Sequence, residues 1–146
     1  TVGGNGFMKM PRPHTVYLST QALAILARAK ELSASSEWVF PSVQKLSKPM
    51  GEVSVNHLFN RLRFNGAIPE NFKPHGLRGT FSTFANEHGI APDVVEAILA
   101  HLDKNVTRAS YNHATYAKAM RTTMQWYSDY LDKLAAGADV IQFKAA

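Results

Sequence analysis

The central fold is decided by residues 74–89, which read PHGLRGTFSTFANEHG. From about Leu77 onward, apolar and aromatic residues recur at helical spacing along one side: Leu77, Phe81, Phe84, Ala85 and His88. Gly89 is placed to end this helix, because glycine adopts the left-handed C-terminal conformation at little cost. The stretch therefore predicts a helix with His75 at its entrance and Arg78 in its first turn.

Two further helices are predicted downstream of this stretch. Pro92 suits the first position of a short helix that runs to Ala100 and buries Val94, Val95, Ile98 and Leu99. After a connecting loop, a long helix is expected from about Ser110–Tyr111 to about Leu134. Its apolar stripe consists of Met120, Met124, Tyr127, Leu131 and Leu134, widened by Trp126 and Tyr130. A stripe of this width indicates either a core helix or one that docks partly on a neighbouring subunit.

Upstream, the sequence predicts a small hairpin followed by a helix. Phe7–Met10 and Thr15–Leu18 are typical of short strands, and two prolines punctuate the turn between them. Ser19 or Thr20 is placed to cap a helix. The apolar residues of that helix are Ala22, Leu23, Ile25, Leu26, Ala29 and Leu32.

Another helix is predicted between Ser54, as its cap, and Gly66, as its stop. Its buried side is expected to be Leu58, Phe59 and Leu62, with Arg61 and Arg63 turned outward. The expected fold class is therefore mainly α with a small N-terminal β-hairpin. The glycine-rich residues 1–6 are expected to be disordered or added for expression, and residues 137–146 to be a tail.

The composition is that of one globular domain with a basic surface. The chain has 146 residues, of which 45% are hydrophobic and none is cysteine, and its net charge is +5. This charge favours a polyanionic partner such as nucleic acid. No apolar run approaches the roughly 20 residues that span a bilayer, and no signal peptide is evident. We therefore expect a cytoplasmic protein without disulfides or thiolate metal sites.

Four side chains could take part in phosphate chemistry. The guanidinium of Arg78 can bind a phosphate with two parallel bonds, and the helix start behind His75 also favours an anion. His101 could bind the same anion, although a histidine near a helix C-terminus is common for dipole reasons alone. Tyr111 is a poor nucleophile unless cations or a base assist it. Taken singly, each has a structural alternative: a capping histidine, a solvated arginine, or a tyrosine ring in the core.

Taken in order, these residues resemble the tyrosine recombinases. Residues 74–81 are similar to the H-x-x-R box of that family, Leu99-Ala100-His101 to its L-[GA]-H box, and Tyr111 follows at a suitable spacing. The stretch 8–14, which contains Lys9, resembles the lysine hairpin of phage P4-type integrases, and residues 111–132 resemble the ending of that subgroup. The expected fold is accordingly a tyrosine-recombinase catalytic domain of the DNA breaking-rejoining type, over residues 7–136.

The resemblance implies a metal-free and cofactor-free transesterification. Tyr111 would attack a phosphodiester and form a 3′-phosphotyrosyl link, while Arg78 and His101 bind the nonbridging oxygens. His75 would act as general base or orient the phosphate, and Lys9 would protonate the leaving 5′-oxygen. The implied partner is double-stranded attachment-site DNA, bound by a homotetramer of a bacterial or phage-encoded integrase. Candidate DNA contacts are Arg12, His14, Lys73, Arg61 and Arg63.

The sequence departs from the family pattern in one respect. The family uses a second arginine, in an R-x-x-E box ahead of the lysine hairpin, and almost nothing precedes the hairpin here. Arg28 and Glu31 have the same spacing, but they follow the hairpin in a helix and are interpreted as a solvated face. We therefore expect an N-terminally truncated catalytic domain with little or no activity alone.

Other interpretations remain open at this point. Tyr116 is the rival nucleophile, five residues beyond Tyr111. The chain could be a DNA-binding or interaction module that keeps the fold without catalysis, or it could belong to the type IB topoisomerases. A zinc site is disfavoured, because no cysteine and no close ligand pair accompany the histidines.

Overall fold

The computed structural model describes residues 14–33, 35–101 and 106–137, with side chains in the last range from Tyr116 onward. Five helices lie within these residues: α1 (Thr20–Leu32), α2 (Ser54–Phe64), α3 (Gly76–Glu87), α4 (Pro92–Ile98) and α5 (Val106–Ala135). None of them is long and apolar enough to cross a membrane.

Three helices, α3, α4 and α5, enclose the core. Ala85 of α3 and Val95 of α4 are completely buried, and Phe81 and Leu99 are nearly so. The side of α5 that carries Met124 packs against this cluster. Burial of each of the three larger side chains in this cluster, Phe81, Val95 and Leu99, stabilises the fold by about 1.5–3 kcal/mol. The core therefore holds the start of α3 and the end of α4 in one rigid unit.

Aromatic rings extend the contact between α3 and α5. The ring of Tyr127 meets Phe81 edge to face, with centroids 5.1 Å apart, and burial raises the pKa of Tyr127, with Tyr130 adding to the rise. Phe84 stacks on Trp126 at 5.3 Å and lies 4.2 Å from Tyr130. Such pairs add roughly 0.5–1.5 kcal/mol beyond the area they bury. The predicted apolar side of α3 is confirmed from Phe81 onward, whereas Leu77 is half exposed.

The start of α1 is fastened to α5 by polar side chains. Of the two predicted caps, Ser19 is the N-cap and Thr20 is the first helical residue. The Oγ of Ser19 accepts from the Ala22 N–H at 3.2 Å and from the hydroxyl of Ser128 at 2.7 Å. Gln125 Oε1 accepts the Thr20 N–H at 2.9 Å, so a residue of α5 satisfies a second open donor of α1. We call this set of residues the α1–α5 clamp: the cap Ser19, Thr20 and Gln21 of α1, and Gln125, Ser128, Asp129 and Asp132 of α5.

Asp129 is the charged centre of the α1–α5 clamp. Its Oδ1 accepts from Gln21 Nε2 at 2.7 Å and from Gln125 Nε2 at 2.8 Å. The hydrogen bond from Gln21, then that from Gln125, hold the pKa of this exposed carboxyl below its ordinary value of 3.8. Because the folded-state pKa is lowered, this contribution to stability is present above pH about 4 and is lost as the pH falls further.

A short loop structure separates α1 from α2. Two main-chain hydrogen bonds join its two sides. The Ser42 N–H donates to the Lys48 carbonyl at 2.9 Å, and the Met50 N–H donates to the Phe40 carbonyl at 2.8 Å. Among the described residues, one isolated antiparallel β-bridge is present, between Pro41 and Pro49. The predicted cap of α2 is wrong in detail, because Ser54 is the first helical residue and Val53 is the N-cap. Gly66 has φ +69° just beyond the helix, as expected of its stop.

The predicted strand at Thr15–Leu18 is wrong for the described residues. This segment is irregular and leads directly into α1, because a strand requires a paired neighbour and no described segment pairs with it. Its predicted partner, Phe7–Met10, lies outside the described residues. The structure described is therefore all-helical. The last helix also begins earlier than predicted, at Val106, so Tyr111 lies inside α5 and not at its start.

We expect Gln125→Ala to lower the free energy of unfolding by about 1–2 kcal/mol, because it removes the cap on Thr20 and two side-chain bonds. Urea unfolding followed by circular dichroism measures this loss. Gln44→Ala, in the exposed loop, is the matched control and should change stability by less than about 0.5 kcal/mol. Equal stability of the two variants would show that the α1–α5 clamp contributes nothing in solution.

Candidate active site

The entrance to α3 is held by contacts from α2. The ring of Phe72 stacks on Phe59 with centroids 5.4 Å apart, and the guanidinium of Arg63 donates to the Phe72 carbonyl. The guanidinium of Arg63 also donates to the side chain of Asn60. The prediction that Arg63 is simply turned outward is therefore wrong. His75 is the N-cap of α3, and its exposed side chain makes no capping hydrogen bond. Packing behind the loop thus fixes the backbone that presents His75.

Arg78 connects the two sequence boxes in space. Its side chain leaves the first turn of α3, and Nη2 donates to the carbonyl oxygen of Leu99, 21 residues further along the chain. Leu99 is buried in the core, so its carbonyl is a rigid acceptor. A guanidinium has five N–H donors, and this bond fixes its position while leaving donors for a phosphate. The H-x-x-R and L-A-H boxes therefore meet at the end of α4.

The end of α4 is a Schellman turn built on a non-glycine residue. The His101 N–H donates to the Glu96 carbonyl at 3.0 Å, and the Ala100 N–H donates to the Ala97 carbonyl at 3.2 Å. Ala100 has φ +54°, in the left-handed region. Glycine takes this conformation at little cost, whereas the Cβ atom of alanine costs roughly 1–2 kcal/mol. This constraint gives a physical reason for glycine in the L-[GA]-H box and shows that Ala100 is strained.

The turn brings the side chain of His101 against Glu96. The Nδ1 atom of His101 lies 2.7 Å from Glu96 Oε2, and both side chains are about half exposed. Glu96 was not predicted from the sequence, although its position five residues before His101 could have indicated this contact. A Schellman turn places residues five apart in contact, so a carboxylate five positions before a candidate histidine is a meaningful pattern.

A cavity of about 440 Å³ opens beside Arg78. The residues that line it include His14, one of the candidate DNA contacts, as well as Arg78, Ala100 and Met120. The end of the stretch that resembles the lysine hairpin therefore reaches the same part of the molecule as the two boxes. It is held there also by Arg121, whose guanidinium carbon lies 4.8 Å from the centre of the Tyr17 ring.

For the remaining predicted site residues, the structure describes only part of each residue or none of it, or shows an exposed side chain. Lys9 and Arg12 lie outside the described residues. Tyr111 lies in the second turn of α5, where the backbone is described and the side chain is not. Along a straight helix it stands about 13 Å before Met120, which lines the cavity. The side chains of Lys73 and Arg61 are exposed, and their contacts with DNA stay predictions.

The rival nucleophile Tyr116 lies at a different place from Arg78. Its hydroxyl donates to Asp93 Oδ2 at 3.2 Å, and Asp93 is in the first turn of α4. Leu99, which binds Arg78, is six residues later, about 9 Å further along the helix axis. Tyr116 therefore ties α5 to the start of α4, away from the turn that carries His101.

The chain matches a known protein family over most of its length. The model of the phage integrase family matches residues 2–118 of the chain. The chain belongs to the phage integrase family, which comprises tyrosine recombinases. No solved structure matches this family member.

Curated relatives of this integrase-family chain are prophage and phage proteins. Prophage integrase IntA of Escherichia coli K12 is 44% identical over 92% of the chain and 32% of its own length. The integrase of Enterobacteria phage P4 is 33% identical over 86% of the chain and 28% of its own length. Tyrosine recombinase XerC of Lacticaseibacillus casei BL23 is 25% identical over 76% of the chain and 35% of its own length. The chain thus spans about a third of the length of these relatives.

We expect Ala100→Gly to raise the free energy of unfolding by about 0.5–1 kcal/mol, because glycine relieves the left-handed backbone. Ala97→Gly, three residues earlier and inside α4, should lower it by a similar amount. Ala100→Val should lower the free energy of unfolding more than Ala97→Gly does. Chemical denaturation of the three variants tests this, and a loss of stability in Ala100→Gly would show that the turn is not left-handed in solution.

Proposed function

We propose that the chain carries part of the catalytic centre of an integrase that inserts and excises a mobile element by site-specific DNA recombination. The single observation that carries the proposal is the bond from Arg78 to the Leu99 carbonyl, which brings together two boxes that are far apart in sequence. Family membership supports the reaction class. The net charge of +5 supports double-stranded DNA as the partner.

In the proposed reaction, the hydroxyl of Tyr111 attacks a backbone phosphate and its proton passes to His75 or to solvent. The new bond joins the tyrosine oxygen to phosphorus, and the bond from phosphorus to the 5′-oxygen breaks. Lys9 gives a proton to that oxygen, which leaves as a 5′-hydroxyl. Attack by the 5′-hydroxyl of a second strand reverses these steps and joins the strands without ATP.

Arg78 and His101 are proposed to stabilise the charge that builds on the nonbridging oxygens. Donors that are held in place before the reaction need no reorganisation as this charge develops. The Leu99 carbonyl holds Arg78, and the Schellman turn holds the backbone of His101. Both donors therefore depend on the same buried helix end.

The second arginine of the family is not supplied by Arg28. Its Nη1 lies 2.8 Å from Glu31 Oε2 on α1, and both side chains are about two-thirds exposed. We propose that residues 7–136 form the C-terminal part of a catalytic domain, that DNA is bound by a tetramer, and that these residues alone form little or no covalent adduct. Loss of one such donor costs about 3–4 kcal/mol of transition-state stabilisation.

We expect Tyr111→Phe to abolish the covalent protein–DNA adduct, because phenylalanine has no oxygen to attack phosphorus. The assay uses nicked duplexes that cover the junctions of the mobile element, with the longest reading frame that contains these residues. Gel electrophoresis under denaturing conditions detects the adduct. Tyr116→Phe is the matched control and should keep adduct formation within about threefold of the unaltered protein.

An adduct that persists in Tyr111→Phe and is lost in Tyr116→Phe would transfer the nucleophile to Tyr116. Binding of the duplexes without an adduct in any protein would instead favour a DNA-binding module without catalysis. Clear adduct formation by the 146 residues alone would contradict the proposal that they lack a required arginine.

We expect Arg78→Ala to slow adduct formation by at least about 100-fold, as for loss of a transition-state donor. It should also cost about 1 kcal/mol of stability through the lost bond to Leu99. Arg78→Lys keeps the charge without the planar fork, so its rate of adduct formation should lie between those of Arg78→Ala and the unaltered protein. Arg28→Ala is the control, since it removes an arginine outside the proposed site and should leave the rate unchanged. A fast Arg78→Ala variant would exclude Arg78 from the reaction.

A further inference from the structure

We propose that Glu96 is a positioning residue for His101, whose ring it orients for donation to the phosphate. This inference rests on the proposed function, in which His101 binds a nonbridging oxygen. Within that function, it assigns a role to a carboxylate that belongs to none of the boxes. Glu96 acts through the histidine and does not itself touch DNA.

The first support is a double link between Glu96 and His101. The Glu96 carbonyl accepts the His101 N–H at 3.0 Å, and the Glu96 carboxylate lies 2.7 Å from His101 Nδ1. The main-chain bond fixes where the histidine leaves the helix end, and the side-chain bond fixes the rotation of its ring. Two restraints of this kind leave the ring little freedom.

The second support is the place of this pair beside Arg78. The guanidinium of Arg78 binds the Leu99 carbonyl, inside the same turn that joins Glu96 to His101. A phosphate bound by Arg78 therefore lies next to the turn. An unpaired carboxylate near a phosphate would repel it, but the Glu96 carboxylate is paired with the His101 ring.

The third support is a count of protons on the ring. The Glu96 carboxylate is an acceptor only, so His101 Nδ1 must carry the hydrogen. A neutral imidazole then has its lone pair on Nε2 and cannot donate from it. Donation to a phosphate oxygen from Nε2 requires the doubly protonated ring. The Glu96 carboxylate therefore assigns the Nδ1 hydrogen of His101 to itself and fixes which ring nitrogen remains for the phosphate.

The Glu96 side chain is not needed to end α4. The bonds that end α4 are main-chain bonds to the Glu96 and Ala97 carbonyls, and they need no carboxylate. Among the described residues, the carboxylate of Glu96 forms its ion pair with His101. Its geometric effect therefore falls on the histidine ring.

The first measurement needs no DNA. Nitrogen chemical shifts of the His101 ring, recorded at alkaline pH in the 146-residue chain, report which nitrogen carries the hydrogen. We expect the Nδ1–H form in the unaltered chain and in Glu96→Gln, whose amide oxygen still accepts. Glu96→Ala should shift the ring mainly to the Nε2–H form. A dominant Nε2–H form in the unaltered chain would overturn the proposal.

The second measurement is the rate of adduct formation at saturating DNA, with the longest reading frame and the nicked duplexes described above. We expect Glu96→Ala to slow the rate by at least about tenfold, the usual scale for loss of an orienting partner, with DNA affinity changed less than about threefold. Glu96→Gln should recover part of the rate. Glu87→Ala removes the same charge from the exposed end of α3 and should leave the rate unchanged.

The outcomes separate this inference from the proposed function. A normal rate in Glu96→Ala, with Tyr111→Phe inactive, overturns the role of Glu96 and leaves the proposed function standing. If Glu96→Ala and Glu87→Ala slow the reaction equally, the effect is one of general charge and the proposal also fails. Absence of any adduct in the unaltered protein removes the proposed function, and with it the phosphate role of the pair.

Discussion

The turn at the end of α4 is the constraint on which the candidate site depends. Leu99 places its side chain in the core and offers its carbonyl to Arg78. The next residue, Ala100, reverses the chain with a left-handed backbone. His101 then leaves the turn beside Glu96. The core and the proposed phosphate site therefore share three consecutive residues, and a shift of this turn would displace the side chains of Arg78 and His101 together.

The sequence was most informative where structure is determined locally. Ser19 as an N-cap, Pro92 as the first residue of α4 and the left-handed Gly89 follow from short-range preferences of single residues, and all three are confirmed. The burial of Val95 and Phe81 follows from helical periodicity around one core. The reason these succeed is that capping and periodicity depend on neighbours within about two turns.

The features that sequence reasoning missed depend on distant partners. A strand at Thr15–Leu18 needs a second strand, which no local pattern guarantees. The bonds from Arg63 to Phe72 and from Arg78 to Leu99 depend on how loops fold back on helices. Ile25 and Leu32 have helical spacing, yet both are largely exposed, because periodicity identifies a helix without showing what covers it. The reaction itself was inferred from resemblance, since single residues carried too little information.

α5 joins two distant parts of the molecule through one continuous helix. The α1–α5 clamp holds it around Ser128, whereas Tyr111 lies 17 residues earlier, about 25 Å along the axis. The bond from Tyr116 to Asp93 holds the same helix much nearer, five residues after Tyr111. A tilt of about 5° at the clamp alone would move the backbone of Tyr111 by about 2 Å, whereas the same tilt about Tyr116 moves it by about 0.7 Å. A single hydrogen bond between α4 and α5 thus limits how far the proposed nucleophile can wander.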